Sequence, residues 1–187
     1  MNNEPKPSLD EILQEAHDFR AAFGSLLLAT ADAQGVPNAS YAPYVTDDAG
    51  CYFVYVSELA THTANLRAIP RASVLFIEDE DKAQQLFARR RLTCDCSVEA
   101  VGRGTPLWEH ALDRLEERHG KLMAMLRGLQ DFHLFRLVPL KAGYVRGFAQ
   151  AYELGGAQLS EIRHVNDKGH RPKDTASANA MNQAAEA

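Results

Sequence analysis

The spacing of apolar side chains predicts a helix near the start of the chain. Ser8 and Glu11 have the spacing of a capping box, in which each side chain bonds the other residue's backbone N–H. Apolar residues then recur every three or four positions, which places them on one helical face: Ile12, Ala16, Phe19 and Phe23. We therefore predict an amphipathic helix over residues 8–23.

Short apolar runs separated by turns predict strands along the rest of the chain. GSLLLAT, CYFVYVS and RASVLFIED are continuous apolar runs, and the Gly- and Pro-containing DAQGVP and DDAG are turns. LTCDCSVE alternates apolar and polar residues, the period of a half-buried strand. Pro43 places the strand NASYAPYVTD at an edge or a bulge. DFHLFRLVPL and AGYVRGFAQAYEL are predicted as a final strand pair joined by a hairpin at PLKAG.

Two further helices interrupt these strands. SELATHTANLRAIP is predicted as a short helix that Ser57 can cap and Pro70 ends. Thr105 and Pro106 begin a second helix as its N-cap and first residue, and Gly120 is its natural C-cap. The connections between strands are mostly too short for parallel crossovers. The fold class is therefore mainly β with helical decorations (α+β), an antiparallel barrel or sandwich.

Composition narrows the class of protein. The 187 residues suffice for one domain, and 45% hydrophobic with 24% charged residues is ordinary for a globular protein. A net charge of −5 does not favour nucleic acid or an anionic membrane as a partner. No apolar run approaches the ~20 residues of a spanning helix. Three cysteines without a signal peptide favour a reducing compartment, so we expect a cytoplasmic protein.

The sequence lacks the common catalytic motifs. We find no Walker loop, GxGxxG, GxSxG or HExxH. Cys94 and Cys96 alternate within a strand and are expected to be buried structural cysteines. A helix N-terminus with donors around it fits a phosphate or carboxylate site, but equally a simple cap with a surface histidine. Its residues are Thr61, His62, Thr63 and Asn65.

Other candidate residues are ambiguous on their own. Asp131 at a strand start and Arg91 in a run of three arginines are more often solvated than functional. His164 and His170 lie in the polar stretch HVNDKGHRPKD, where a histidine is either a surface residue or a ligand of a metal or haem iron. The last residues, 172–187, have no pattern and are predicted to be disordered.

Three segments taken together resemble a known family. ELATHTANLRAIPRASVLF is similar to the corresponding segment of the pyridoxamine-phosphate-oxidase-like, FMN-binding split barrels. ARRRLTCDCSVEAV and FHLFRLVPLKAGYVRGFAQAYEL, followed by a C-terminal Gly-His, resemble the haem-utilisation branch of that superfamily, the HugZ/HutZ-type proteins. The resemblance implies an antiparallel split β-barrel over residues 8–171, ending in a haem-binding loop, and a homodimer with haem at its interface.

The resemblance also implies residue roles. His170 matches the axial histidine that binds the haem iron, with His164 as a competing position in the same tail. Asp131 matches an aspartate that approaches this ligand from the partner subunit, and Arg91 (or Arg90, one register away) matches an arginine near the haem. Asp131 and Arg91 are thus the candidate catalytic residues.

The implied activity is oxidative haem degradation. Haem would be both substrate and cofactor, and O₂ and an electron donor would be consumed to give a biliverdin-type product, CO and iron. The alternative enzyme is an FMN-dependent oxidoreductase of the pyridoxamine-phosphate-oxidase type. It would hold the flavin phosphate with the cofactor-binding set His62, Thr63, Asn65 and Arg67. A haem carrier without turnover would share the haem ligands.

Overall fold

The computed structural model describes residues 6–165 as four helices and nine strands. The helices are α1 (Leu9–Ala21), α2 (Thr61–Ala68), α3 (Pro106–His119) and α4 (Lys121–Arg127). The strands are β1 (Ser25–Ala31), β2 (Pro37–Pro43), β3 (Val45–Thr46), β4 (Tyr52–Ser57), β5 (Arg71–Ile77), β6 (Arg91–Val101), β7 (Phe132–Gly147), β8 (Gln150–Gly155) and β9 (Glu161–His164). Within these residues no helix has the length and apolar character needed to cross a membrane.

The capping box predicted for the first helix is present. The backbone N–H of Ser8 donates to the Glu11 carboxylate at 2.7 Å, and the backbone N–H of Glu11 donates to Ser8 Oγ at 3.3 Å. Three apolar residues of α1 are buried against the sheet: Ile12, Ala16 and Phe19. The helix ends at Ala21, slightly earlier than predicted.

The strands form one antiparallel sheet that curves without closing. Its order is β2-β1-β5-β6-β7-β4-β3, with β8 paired to β7 and β9 paired to β8. Strand β7 pairs with β6 along most of its length, with β4 over its first half and with β8 over its second half. Because β4 and β8 pair with successive halves of β7 on the same side, the sheet bends into an open barrel. The predicted antiparallel split barrel with helical decorations is confirmed.

The predicted hairpin at PLKAG is wrong. Strand β7 runs straight through this segment, since Cys96 pairs with Pro139 and Asp95 pairs with Lys141. Leu140 is therefore the extra residue of a β-bulge, which accommodates a proline that cannot donate to the ladder. The chain reverses later, between Gly147 and Gln150, where Ala149 has a φ of 56°.

The sheet buries two apolar cores, one on each face. The barrel interior contains Leu28, Tyr52, Val54, Phe76 and Leu92, together with Cys94 and Cys96, which are fully buried as predicted. The second core lies under α3 and contains Phe53, Tyr55, Trp108, Leu112 and Leu115. Alternate residues of β4 enter different cores, which explains why CYFVYV is apolar throughout.

Candidate functional site

Helix α2 places the candidate histidine of the THTAN segment inside the protein. His62 is buried, and its Nδ1 lies 2.9 Å from Ser40 Oγ on β2. Burial lowers the pKa of His62 below its ordinary value of 6.5. The imidazole is therefore mostly neutral at pH 7. Its burial differs from the surface position that a histidine in a simple helix cap would have.

The other polar side chains of the α2 N-terminal turns bond to the protein itself. The Thr63 hydroxyl donates to the backbone carbonyl of Ser57 at 2.5 Å. The Asn65 amide donates to the Thr30 hydroxyl on β1 at 3.0 Å, and both side chains are buried. These bonds attach α2 to the ends of β4 and β1.

Arg67 belongs to a charged cluster at the surface beside α2. Its Nη2 lies 3.0 Å from Glu58 Oε1 and 2.6 Å from His133 Nε2, and His133 Nε2 is also 2.6 Å from Glu58 Oε1. Hydrogen bonds from Arg67 and His133 hold the pKa of the Glu58 carboxyl below its usual value. The positive charge of the Arg67 guanidinium is therefore already paired with the Glu58 carboxylate.

Asp131 lies next to this cluster, in the loop that precedes β7. The Ser57 hydroxyl donates to Asp131 Oδ2 at 3.3 Å, and the backbone N–H of Glu58 donates to the Asp131 carbonyl at 2.8 Å. Among residues 6–165, no cationic group lies within 4.0 Å of this half-buried carboxylate. The loop thus presents an acceptor that has one weak side-chain partner.

The three arginines that precede β6 differ in their partners. Arg89 contacts Glu80 at 3.0 Å, and Arg90 lies 3.8 Å from Glu15 with its guanidinium over the Phe19 ring. The Arg91 side chain donates only to the Arg89 carbonyl in the described part of the chain, where no carboxylate lies within 4.0 Å of it. Its charge remains available for an anionic ligand.

His164 ends strand β9 and lies beside an open cavity. The ring packs edge-on against Tyr152 with 4.8 Å between centroids. Its Nδ1 is buried without a hydrogen-bond partner among the described residues. The adjoining cavity of about 580 Å³ is also lined by Arg146 and Phe148, and its volume lies within the usual range for ligand sites. His170 lies outside the described residues.

These candidate residues occupy two ends of the sheet. Arg91 pairs with Val145 at one end of the β6–β7 ladder, and Val101 pairs with Leu134, near Asp131, at the other. About 30 Å of strand separates the two ends. His164 belongs to the Arg91 end, since it pairs with Tyr152 and Tyr152 with Tyr144, next to Val145. Within one copy of the chain, Asp131 therefore lies far from the end of the ladder that carries His164, which we call the histidine end.

The structure brings together residues that the sequence did not connect. Ser57, Glu58 and His133 meet near Asp131 because β4 pairs with β7, and their separation along the chain gave no local signal. Within residues 6–165, no cluster of three or more metal-ligating side chains is present.

The fold and the α2 segment define the class of protein. An open antiparallel barrel with a short helix between β4 and β5 is the split barrel of pyridoxamine 5'-phosphate oxidase-like proteins. Residues 12–146 match the family described as pyridoxamine 5'-phosphate oxidase. This match spans every strand from β1 to the second half of β7.

Similar proteins identify the branch of the family to which the chain belongs. Haem oxygenase HutZ of Vibrio cholerae is 46% identical over 157 residues, which are 84% of this chain and 88% of that protein. A crystal structure of HutZ from Vibrio cholerae, described as the haem storage protein, has a TM-score of 0.64 at 48% identity and covers 67% of this chain and 88% of that one. ChuZ from Campylobacter jejuni has a TM-score of 0.78 at 29% identity, over 89% and 68% of the two chains. The chain belongs to the pyridoxamine 5'-phosphate oxidase family and, within it, to the HutZ-type haem-utilisation proteins.

Proposed function

We propose that the protein binds haem and degrades it oxidatively to a biliverdin-type product, with release of CO and iron. The observation that carries this proposal is the 46% identity to a protein named haem oxygenase, over most of both chains. The reaction consumes O₂ and electrons from a donor. Bound haem supplies the iron at which oxygen reacts, and the protein supplies the environment.

Three residues have distinct roles in this proposal. His170 binds the haem iron through a neutral imidazole nitrogen, as the family resemblance implies. Asp131 of a second copy accepts the N–H of the other ring nitrogen, which fixes the tautomer and raises the basicity of the ligand. Arg91 pairs with a haem propionate, for which its guanidinium is suited.

The described residues fit haem better than flavin phosphate. Arg91 has no carboxylate partner in the described structure, and the cavity beside His164 has apolar walls with Lys6 as a cation, while its Arg146 is already paired with Glu15. Around α2, by contrast, His62 is mostly neutral and Arg67 is paired with Glu58. Few free cations therefore remain there for the dianionic phosphate of FMN, and we derive no step through a flavin.

A homodimer would bring Asp131 to the histidine end of a second copy. The outer face of β2, β1 and β5 carries a row of apolar residues in register, formed by Tyr41, Leu27 and Leu75. Tyr41 is 67% exposed and Leu27 is 46% exposed in the single chain. An apolar row of this kind is typical of an interface, so we propose that a second copy covers this face.

The cysteines support a cytoplasmic location for this reaction. Cys51, Cys94 and Cys96 are all unpaired, although the sulfurs of Cys94 and Cys96 are 3.8 Å apart. An odd number of cysteines with no disulfide among them fits a reducing compartment.

Two titrations test haem against flavin. Purified protein is titrated separately with haemin and with FMN while absorption spectra are recorded. We expect a Soret shift that saturates at one haemin per chain, and no yellow colour after desalting of the FMN sample. If haemin gives no specific Soret change, the proposal is wrong.

A second experiment distinguishes degradation from storage and identifies the ligand. The haemin complex is incubated with ascorbate and O₂, and we expect the Soret band to be replaced by a biliverdin-type spectrum with release of iron. A stable Soret band would instead indicate storage, the activity by which the crystallised HutZ is described. His170→Ala and His164→Ala are compared in parallel, and we expect only the former to abolish the shift.

A further inference from the structure

The position of the Asp131 carboxylate depends on a short loop. Helix α4 ends at Arg127 and strand β7 begins at Phe132, so residues 128–131 must hold Asp131 in place. On one side the end of β4 fixes this loop, because Ser57 bonds the Asp131 side chain and Glu58 bonds its carbonyl. The other side of the loop needs a separate attachment.

Arg103 provides that attachment through the carbonyls on both sides of Asp131. Its Nη2 donates to the Leu129 carbonyl at 2.6 Å and to the Phe132 carbonyl at 3.1 Å. Its Nη1 donates to the Arg127 carbonyl at 3.1 Å. One guanidinium thus bonds the end of α4, the middle of the loop and the start of β7.

Two aromatic residues hold the guanidinium itself. Arg103 Nη2 lies 3.2 Å from the Tyr55 hydroxyl, and Arg103 Cζ lies 5.1 Å from the centre of the Trp108 ring. Both rings belong to the core under α3, which fixes their positions. In the described chain no carboxylate lies within 4.0 Å of Arg103, so its donors serve backbone carbonyls.

We propose that Arg103 is a positioning residue for Asp131 in the haem reaction. This inference rests on the proposed function, because it needs Asp131 to meet the iron ligand of a second copy. A guanidinium has five N–H donors in a rigid plane and can bridge several carbonyls at once. Lysine keeps the charge but lacks this geometry, so Arg103→Lys separates charge from geometry.

The test compares four variants of the full-length haemin complex. They are Asp131→Ala, Arg103→Met, the double variant, and Arg103→Lys. Arg114→Met is the matched control, since Arg114 is a half-buried arginine of α3 with one exposed carboxylate partner, Asp48. The readouts are the iron–histidine stretching frequency of the ferrous complex, the rate of ring opening and the haemin affinity.

We expect Arg103→Met to shift the iron–histidine stretch in the same direction as Asp131→Ala. The rate of ring opening should fall by about 10-fold to 100-fold, the usual range when a partner of a metal ligand is lost. The double variant should lose no more than Asp131→Ala alone, because both changes remove one interaction. Arg103→Lys should give an intermediate loss, and Arg114→Met should match the wild type.

Two other results would overturn the inference, and they differ in what they say about the function. If Asp131→Ala shifts the stretch but Arg103→Met and Arg103→Lys do not, Arg103 only stabilises the fold and the role of Asp131 stands. If Asp131→Ala leaves the stretch unchanged, Asp131 is not the partner of the ligand, and both its proposed role and the inference fail. Arg103→Lys provides the measurement if Arg103→Met does not fold.

Discussion

The hydrogen bond between Asn65 and Thr30 separates a structural role of the THTAN segment from a cofactor-binding role. The two side chains are only 4% and 6% exposed, and the amide nitrogen lies 3.0 Å from the hydroxyl. Asn65 is on α2 and Thr30 is on β1, so this bond attaches the helix to the barrel. We expect its loss to reduce stability and to leave haemin binding unchanged.

The magnitude follows from the burial of both groups. Thr30→Val removes the hydroxyl with little change of shape and leaves the Asn65 amide without that partner. An unsatisfied buried polar group lowers the free energy of unfolding by about 1–3 kcal/mol, which is the cost we expect for Thr30→Val. Asn65→Leu should have the same cost, because it leaves the Thr30 hydroxyl without the amide. Replacement of both partners by apolar groups of similar shape is nearly neutral. The double variant should therefore be more stable than either single variant.

Urea unfolding followed by circular dichroism measures these free energies at one fixed protein concentration. In a chain of this length, 1 kcal/mol corresponds to a change in Tm of about 2–4 °C, which gives a second estimate. The reasoning is refuted if Thr30→Val and Asn65→Leu have additive costs. It is also refuted if Asn65→Leu keeps wild-type stability but loses haemin or FMN binding, since the amide would then serve the ligand.

Three further predictions concern His62, Gly156 and Leu27. Burial lowers the pKa of His62 in the folded chain, so below pH 6.5 the unfolded chain takes up a proton more readily than the folded chain. The stability of the fold should therefore fall as the pH drops from 6.5 towards the lowered pKa of the folded state. His62→Gln should reduce this slope in urea titrations at several pH values, and a remainder is expected from His17, whose pKa burial also lowers. Gly156 has φ 72° and ψ −177°, and a Cβ there would lie 2.9 Å from the Glu161 side chain. Gly156→Ala should therefore cost about 1–3 kcal/mol in thermal unfolding, whereas Gly155→Ala, with open space around it, should cost much less. Leu27→Glu should convert a dimer to a 20.7 kDa monomer in light scattering, while Val36→Glu in the β1–β2 turn should remain dimeric; a dimeric Leu27→Glu would exclude this face as the interface.

The sequence predicts local features of the fold because local physics determines them. Ser8 and Glu11 are three residues apart, so their capping box needs no tertiary information. The alternation of LTCDCSVE likewise determines which residues of β6 are buried. At Pro139 the same reasoning fails, since a proline and a following glycine resemble a turn. The pairing of β7 with β6 across a bulge depends on strands that are distant in sequence.

The candidate site is predicted less well because its residues act through distant partners. Asp131 appears in the sequence as an ordinary turn carboxylate, and its bond to Ser57 exists only because β4 pairs with β7. Thr63 and Asn65 are polar residues in a motif, yet their described bonds are internal. The family resemblance named Asp131, Arg91 and His170, and their roles stay predictions, with His170 outside the described residues.

If the proposed dimer forms, the placement of these residues predicts that haem binding and dimerisation are coupled. Arg91 and His164 lie at one end of the β6–β7 ladder and Asp131 at the other, which supports a ligand environment shared between two copies of the chain. A ligand that binds only the dimer stabilises it by mass action. Haemin should therefore lower the concentration at which the dimer dissociates, measured by sedimentation velocity across a dilution series. Asp131→Ala should weaken this coupling and keep the apolar interface, whereas Leu27→Glu should lose both. If haemin binds monomer and dimer equally tightly, the site lies within one chain and Asp131 does not belong to it.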